Sequence, residues 1–228
     1  VIGKTEEAAA QLANQFFQMF LVARQRVHGV ADQSLGFDSV RDIPVDAAEA
    51  WRVYIPLLRG ALCGHLDDAF METAREQARQ ALAAGCSPHE FPAAHWLGLT
   101  QSRRDWLRWD ERRAVLRRQW ASFFERWDFV ITPVAATAAM KHDQQGFRWE
   151  RLIPVNGSPQ PQTAQLFWAG YPGVVGLPAT AVPLGLTPDG LPVGAQIIGP
   201  AFNDLGCLRF AQWLEAEYRA FVPPPLAA

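Results

Sequence analysis

The stretch from Gly170 to Pro200, GYPGVVGLPATAVPLGLTPDGLPVGAQIIGP, restricts the fold more than any other part of the chain. Its first part is small, apolar and punctuated by Pro172, Pro178 and Pro183. Each proline lacks an N–H and crowds the preceding turn, so no helix is expected there. Thr180–Leu186 and Leu191–Ile198 read instead as two buried strands. Between them, Thr187-Pro188-Asp189-Gly190 has proline at the second turn position and a glycine free to take positive φ at the fourth. Val193, Ala195 and Ile197 alternate with Gly194, Gln196 and Ile198, which suits a strand covered on both faces.

That unit carries a resemblance. GLPATAVPLG followed by GLPVGAQIIGP resembles the C-terminal part of the amidase signature family, the serine amidases that use a Ser-cisSer-Lys triad. The resemblance continues upstream through Leu166-Phe167-Trp168-Ala169-Gly170, Val155-Asn156-Gly157 and the strand end Trp127-Asp128-Phe129-Val130-Ile131-Thr132-Pro133. It covers about the last half of the chain, and residues 1–90 match only in general character. It implies an α/β fold, an amidase-signature-like mixed β-sheet flanked by helices, present here as a C-terminal portion. The expected division is a single incomplete domain over 1–228, mostly helical over 1–92, with a long helix and the sheet-forming part over 93–228. The whole protein is expected to cleave a carboxamide C–N bond through a serine acyl-enzyme, without metal or cofactor.

The catalytic stretch of that family has no counterpart here. An acyl-enzyme mechanism needs an activated hydroxyl, a base within hydrogen-bond reach and donors for the oxyanion. The six serines, Ser34, Ser39, Ser87, Ser102, Ser122 and Ser158, include no adjacent pair, and the two lysines, Lys4 and Lys141, lie in no matching context. The one Gly-Ser, Gly157-Ser158, is followed by Pro159 in a loop that resembles a family segment without catalytic role. No catalytic residue is therefore assigned, and this chain alone is expected to be inactive. The alternatives are a noncatalytic scaffold or binding module, or half of a split enzyme that needs a partner chain. One branch of the family, the amidase-type component of tRNA-dependent amidotransferases, is not set apart by these residues. The chain starts at Val1, which points to a fragment, a processed product or an incomplete chain.

The resemblance implies substrate contacts at Trp168, Tyr171 and Phe202, because corresponding segments help wall the acyl or amine pocket. Ordinary aromatic core is an equal reading for each, in a chain with nine tryptophans and fourteen phenylalanines. The expected ligand of the whole protein is a small amide, and association with the missing N-terminal part or another chain is expected.

Other signals point away from other chemistries. A net charge of −2 gives no pull toward nucleic acid or an anionic membrane. The run from Arg103 to Arg118 holds seven arginines, but Asp105, Asp110 and Glu111 dilute it, and its tryptophans fall on an apolar face. A core-packing helix with a solvated basic side explains it better than a nucleic-acid stripe. His89-Glu90 and His95 have the wrong spacing for HExxH, and Cys63-Gly64-His65 lacks partner ligands, so no metal site is expected. His28, His65, His89, His95 and His142 meet no serine in a strand-to-helix nucleophile turn. His142-Asp143 is expected to face solvent, or else to modulate a pocket. Cys63, Cys86 and Cys207 are scattered, without a signal peptide, as free thiols in a reducing cytoplasm would be.

Helical spacing predicts one amphipathic helix over 5–26, then a polar connector over 29–44. A helix follows from Asp46, kinked or divided at Pro56, and another runs from Asp67 or Asp68 to Ala84, closed by Gly85. One long helix is predicted over 93–127, a short strand over 128–132 and irregular chain over 134–165. The last helix opens at Asn203 or Asp204 with Leu205, Leu208, Ala211, Leu214 and Tyr218 on one side.

Overall fold

The computed structural model describes residues 21–25, 35–38, 43, 45–217 and 220–223. In chain order it contains β1 (Leu21–Gln25), β2 (Leu35–Asp38), α1 (Ala47–Leu62), α2 (Asp68–Ala83), α3 (Ala93–Thr100) and α4 (Arg103–Phe124). Then come β3 (Phe129–Pro133), the hairpin strands β4 (Leu152–Val155) and β5 (Ser158–Pro161), α5 (Leu166–Gly173), β6 (Ala179–Leu186), β7 (Pro192–Ile198) and α6 (Asp204–Glu217).

The larger sheet has the order β2-β1-β3-β7-β6. Its described pairings are all antiparallel. The strand-turn-strand unit forms as its prolines and turn residues dictate, but its expected burial is corrected: β6, on the outside of the sheet, is half-buried to exposed throughout, and only Ala195–Ile198 of β7 are buried. Gly190 sits at φ 80, its N–H donating to the Thr187 carbonyl at 2.9 Å, and the Thr187 hydroxyl accepts from the Leu191 N–H at 3.1 Å. Pro183 lies in β6, the outer described strand, where the ladder shifts register between Pro183 and Gly185. An edge strand is where a missing N–H costs a sheet least.

Side-chain caps set the helix starts. Asp46 accepts from the Glu49 N–H at 2.7 Å, Asp67 from the Phe70 N–H at 2.7 Å, and Ser102 from the Asp105 N–H at 3.1 Å. Each satisfies a donor that the first helical turn leaves open. Helix α1 runs through Pro56 undivided. Gly85, at φ 86, follows the end of α2 as expected.

Four further sequence expectations are corrected. Residues 21–25 are a strand rather than the end of a helix, because they pair with β2 and β3; residues 5–20 of that expected helix lie outside the described residues. The expected connector contains β2. The long helix over 93–127 is two helices. Gln101 and Ser102 are extended, and the Gln101 side-chain amide bonds the Pro56 carbonyl at 2.6 Å and the Gly98 carbonyl at 2.7 Å. That tie to α1, with the Ser102 cap, outweighs continued helical periodicity. Within the region expected to be irregular, Asn156 and Gly157 take φ 50 and φ 79 and turn β4 into β5. Both central residues at positive φ suit a tight two-residue hairpin.

The main core lies between α1, α4, α5 and the sheet. Val45, Val53, Trp120, Phe123, Val130, Trp168, Tyr171 and Ile198 meet there. The basic run on α4 turns its aromatic side inward, with Leu116, Trp120 and Phe123 buried. Arg103 lies over Trp106 at 4.5 Å and Arg112 over Trp109 at 5.3 Å. Arg112 also pairs with Glu49, and Arg113 with Asp110. Those arginines belong to intramolecular packing, as the solvated-face reading requires. A second core joins Phe129, Ile197, Cys207 and Phe210 under α6. The stripe on α6 is offset from expectation, since Leu205 and Leu208 are exposed while Cys207 and Phe210 are buried. Tyr218 lies outside the described residues.

Candidate functional site

The stretch around Pro172 departs furthest from expectation, because residues 166–173 form α5 with the proline inside it. Proline in a helix leaves the carbonyl four residues back without its usual donor and crowds it. That carbonyl belongs to Trp168, and the side chain of Gln196 on β7 supplies the bond instead, Nε2 to carbonyl oxygen at 2.8 Å. The helix is thus completed by a strand that follows it in the chain. Gln196 is itself buried, so a hydrogen bond that would be weak in water is protected here.

The same helix carries two of the three expected substrate contacts. Trp168 and Tyr171 are buried to 0% and 1% exposure, within the main core. Tyr171 meets Trp120 edge-on, with ring centroids 5.4 Å apart, and its hydroxyl donates to the Val45 carbonyl at 2.7 Å. Burial pushes that phenol well above its usual range. A Cβ on Gly170 would run into the Tyr54 ring, so only glycine lets α5 lie this close to α1. Phe202, by contrast, stands 99% exposed at φ 65. The three aromatics therefore share no wall in this structure: two are core side chains and one is in solvent.

Among the described residues, no serine hydroxyl bonds an imidazole or a lysine. Ser102 caps α4, Ser87 accepts from the His89 backbone N–H, and Ser158 lies exposed in the β4–β5 hairpin. His95 is packed among Phe91, Trp96 and Trp149, with ring centroids 5.7, 4.6 and 5.3 Å away. Burial, with Arg59 beside it, holds its imidazole down at about 4, so it is neutral at pH 7 and too weak a base to activate a hydroxyl. The Cys207 thiol is pushed up to about 11, chiefly by burial, so it too is no ready nucleophile. The described cysteines are free thiols. Among the described residues, no three of His, Cys, Asp and Glu gather where they could hold a metal ion. No described helix is long and apolar enough to cross a membrane.

One concave polar feature does form. The chain after β3 folds back on the start of the segment following β5 and borders an open hollow of about 350 Å³. It is lined by Lys141, His142, Asp143, Arg148, Arg151 and Gln162, among others. His142 and Asp143 are exposed, as expected, where they border this hollow. Arg151 braces the loop, Nε donating to the Gln145 carbonyl and Nη2 to the Gly146 carbonyl, both at 3.0 Å. Sequence reasoning weighed Lys141 only as a catalytic base and passed over Arg148 and Arg151. The signal was present, in three cations within a stretch otherwise short of regular pattern.

Comparison with known proteins agrees with the geometry. A family model described as Amidase matches residues 67–208. The chain is 30% identical over 99 residues to a glutamyl-tRNA(Gln) amidotransferase subunit from Thermodesulfovibrio yellowstonii, covering 43% of this chain and 18% of that protein. The corresponding protein of an Exiguobacterium species is 32% identical over 114 residues, covering 50% and 22%. Among solved structures, a protein described as an amidase superposes with a TM-score of 0.51 at 23% identity, covering 77% of this chain and 36% of that one. A bacterial aryl acylamidase of the amidase signature family superposes at 0.50 with 20% identity, covering 78% and 35%. Both are likenesses of fold alone. The match spans about a fifth of the length of the curated relatives. Because the family model covers well over half of the sequence, the chain belongs to the amidase family, the amidase-signature group.

Proposed function

We propose that this chain is the sheet-and-wall portion of an amidase-signature hydrolase whose nucleophile is carried by polypeptide outside it. In the whole protein, a serine Oγ would attack the carboxamide carbon, and the C–N bond would break as the departing amine takes a proton. A lysine would shuttle that proton through the cis-serine, and water would then hydrolyse the acyl-enzyme. The substrate is a small amide. One observation carries the reading: the family segment is present over 67–208, yet none of the chain's serines has a serine neighbour.

A second reading, half of a split enzyme that needs a partner chain, is favoured by a specific feature. Leu184 and Leu186 on β6 are 41% and 60% exposed, and Leu205 and Leu208 on α6 are 58% and 51% exposed. Apolar surface beside an outer strand suits further polypeptide packing against it. The matched amidotransferase relatives are named as subunits, which accords with assembly. In both readings this chain alone is inert toward amides, and Phe202 is the one of the three candidate aromatics free to meet a ligand or a partner.

The test is turnover of 4-nitroacetanilide by the purified chain after intact-mass confirmation. The expected rate equals that of buffer. Sustained release of 4-nitroaniline, co-purifying with the 25.4 kDa species, would overturn both readings.

A further inference from the structure

The aromatic cluster around His95 has no part in the amidase reading. It is what seats the turn over residues 145–151 on α3. The hydrogen bonds that shape this turn are its own. The Phe147 N–H donates to the Glu150 carboxylate at 2.7 Å, the Glu150 N–H to the Phe147 carbonyl at 3.0 Å, and Arg151 to the Gln145 and Gly146 carbonyls. Among the described residues, no hydrogen bond links the turn to α3, and rings make the contact instead. Trp149 lies 5.8 Å from Trp96, 5.3 Å from His95 and 5.7 Å from Phe91. Phe147, stacked on Trp149 at 4.6 Å, meets Trp96 edge-on at 6.2 Å.

His95 is the one ring in that cluster able to take up a proton at moderate acidity. A charged imidazole donates from both nitrogens, yet Nδ1 is buried with no described residue to receive its proton. A buried charge without a partner is costly, so the packed cluster selects the neutral ring. The cations nearby act in the same direction. Arg59 of α1, over the Phe91 ring at 5.7 Å, opposes a proton on His95, and Arg148 of the turn opposes charge on Arg59. Tyr54, on the same helix as Arg59, is a phenol that burial holds neutral. The acids of the adjoining segments have other work. Glu90 accepts the Ser87 N–H at 3.1 Å, Glu150 caps the turn itself, and Glu72 and Glu76 of α2 pair with Arg75 and Arg79.

We propose that His95 is an acid-sensitive latch: the turn over 145–151 stays docked on α3 while the imidazole is neutral and is released when it gains a proton. Release carries Arg148 off the border of the open hollow after β3. Burial and Arg59 hold the docked imidazole at about 4, below its ordinary 6.5. Docking is therefore complete above pH 6.5 and is lost as the pH falls towards 4. The proposal stands whether or not the chain belongs to a working amidase.

The experiment is amide hydrogen exchange of the purified chain, followed by NMR at pH 7 and pH 5 with intrinsic rates removed. The Phe147 and Glu150 amides are expected to be protected at pH 7, less than the Trp120 amide of α4, because the turn opens separately from the whole fold. Their protection should fall about ten-fold between pH 7 and pH 5. His95→Phe, which keeps a ring, and His95→Gln, which keeps a polar side chain, should each abolish the fall, and either suffices if the other does not fold. Glu150→Gln should retain it. No protection at pH 7, protection equal to that of Trp120, no change with pH, or a fall that persists in the His95 variants would each overturn the proposal. Loss of the fall in Glu150→Gln would place the titration on that carboxylate and overturn it too.

Discussion

Trp120→Ala is expected to lower the unfolding free energy by about 3–5 kcal/mol, the usual cost of emptying a large aromatic site. Trp120 is 1% exposed, on the inner side of α4, and its ring meets Phe123, Phe124 and Tyr171 at centroid distances of 5.7, 5.5 and 5.4 Å. The indole therefore links α4 to α5 as well as filling volume. Removing it leaves a void bounded by Phe123 and Phe124 of its own helix and by Tyr171 of α5, all held in the packed core. A urea titration followed by far-UV circular dichroism reads the effect as a fall in midpoint. A midpoint unchanged within error would show that α4 does not pack as described.

Gln196→Leu is expected to cost about 1–3 kcal/mol, although leucine fits a strand and adds apolar surface. The cost arises because the Trp168 carbonyl cannot recover a donor from its own helix, where Pro172 occupies the donor position. Pro172→Ala supplies that N–H. The account therefore predicts that the loss from Gln196→Leu shrinks by about 1 kcal/mol or more when measured in the Pro172→Ala background. Additive losses in the double-mutant cycle would mean that the side-chain bond does not substitute for the missing helical one.

That clamp also shows what sequence could and could not disclose. Prolines at 172, 178 and 183 argue against helix through local geometry, and for β6 the argument holds. For α5 it fails, because the compensating donor lies on a strand more than twenty residues away. No local pattern encodes such a partner. The break between α3 and α4 has the same origin, since Gln101 is drawn out by the carbonyl of Pro56. Leu21–Gln25 shows pairing with β3 overriding helical spacing. The β4–β5 hairpin was missed, although Asn156-Gly157 is a strong two-residue turn signal, because its proline-rich surroundings read as irregular chain.

The candidate site was less legible than the fold. Trp168 and Tyr171 share α5 whereas Phe202 follows β7, burial separates them further, and nothing in residue type distinguishes an aromatic that lines a pocket from one that fills a core. Lys141, Arg148, Arg151 and Gln162 come together only because the loop folds back on itself. What sequence did reveal was an absence that matters for chemistry: serines without serine neighbours and two lysines far from any of the expected contexts.

The central claim is that bond cleavage depends on a nucleophile outside these 228 residues. Incubation with a fluorophosphonate, followed by intact-mass analysis and peptide mapping, tests it without assuming a substrate. The account predicts an unchanged parent mass after prolonged exposure to excess reagent. A stoichiometric phosphonyl adduct on any serine of this chain, Ser158 included, would contradict it.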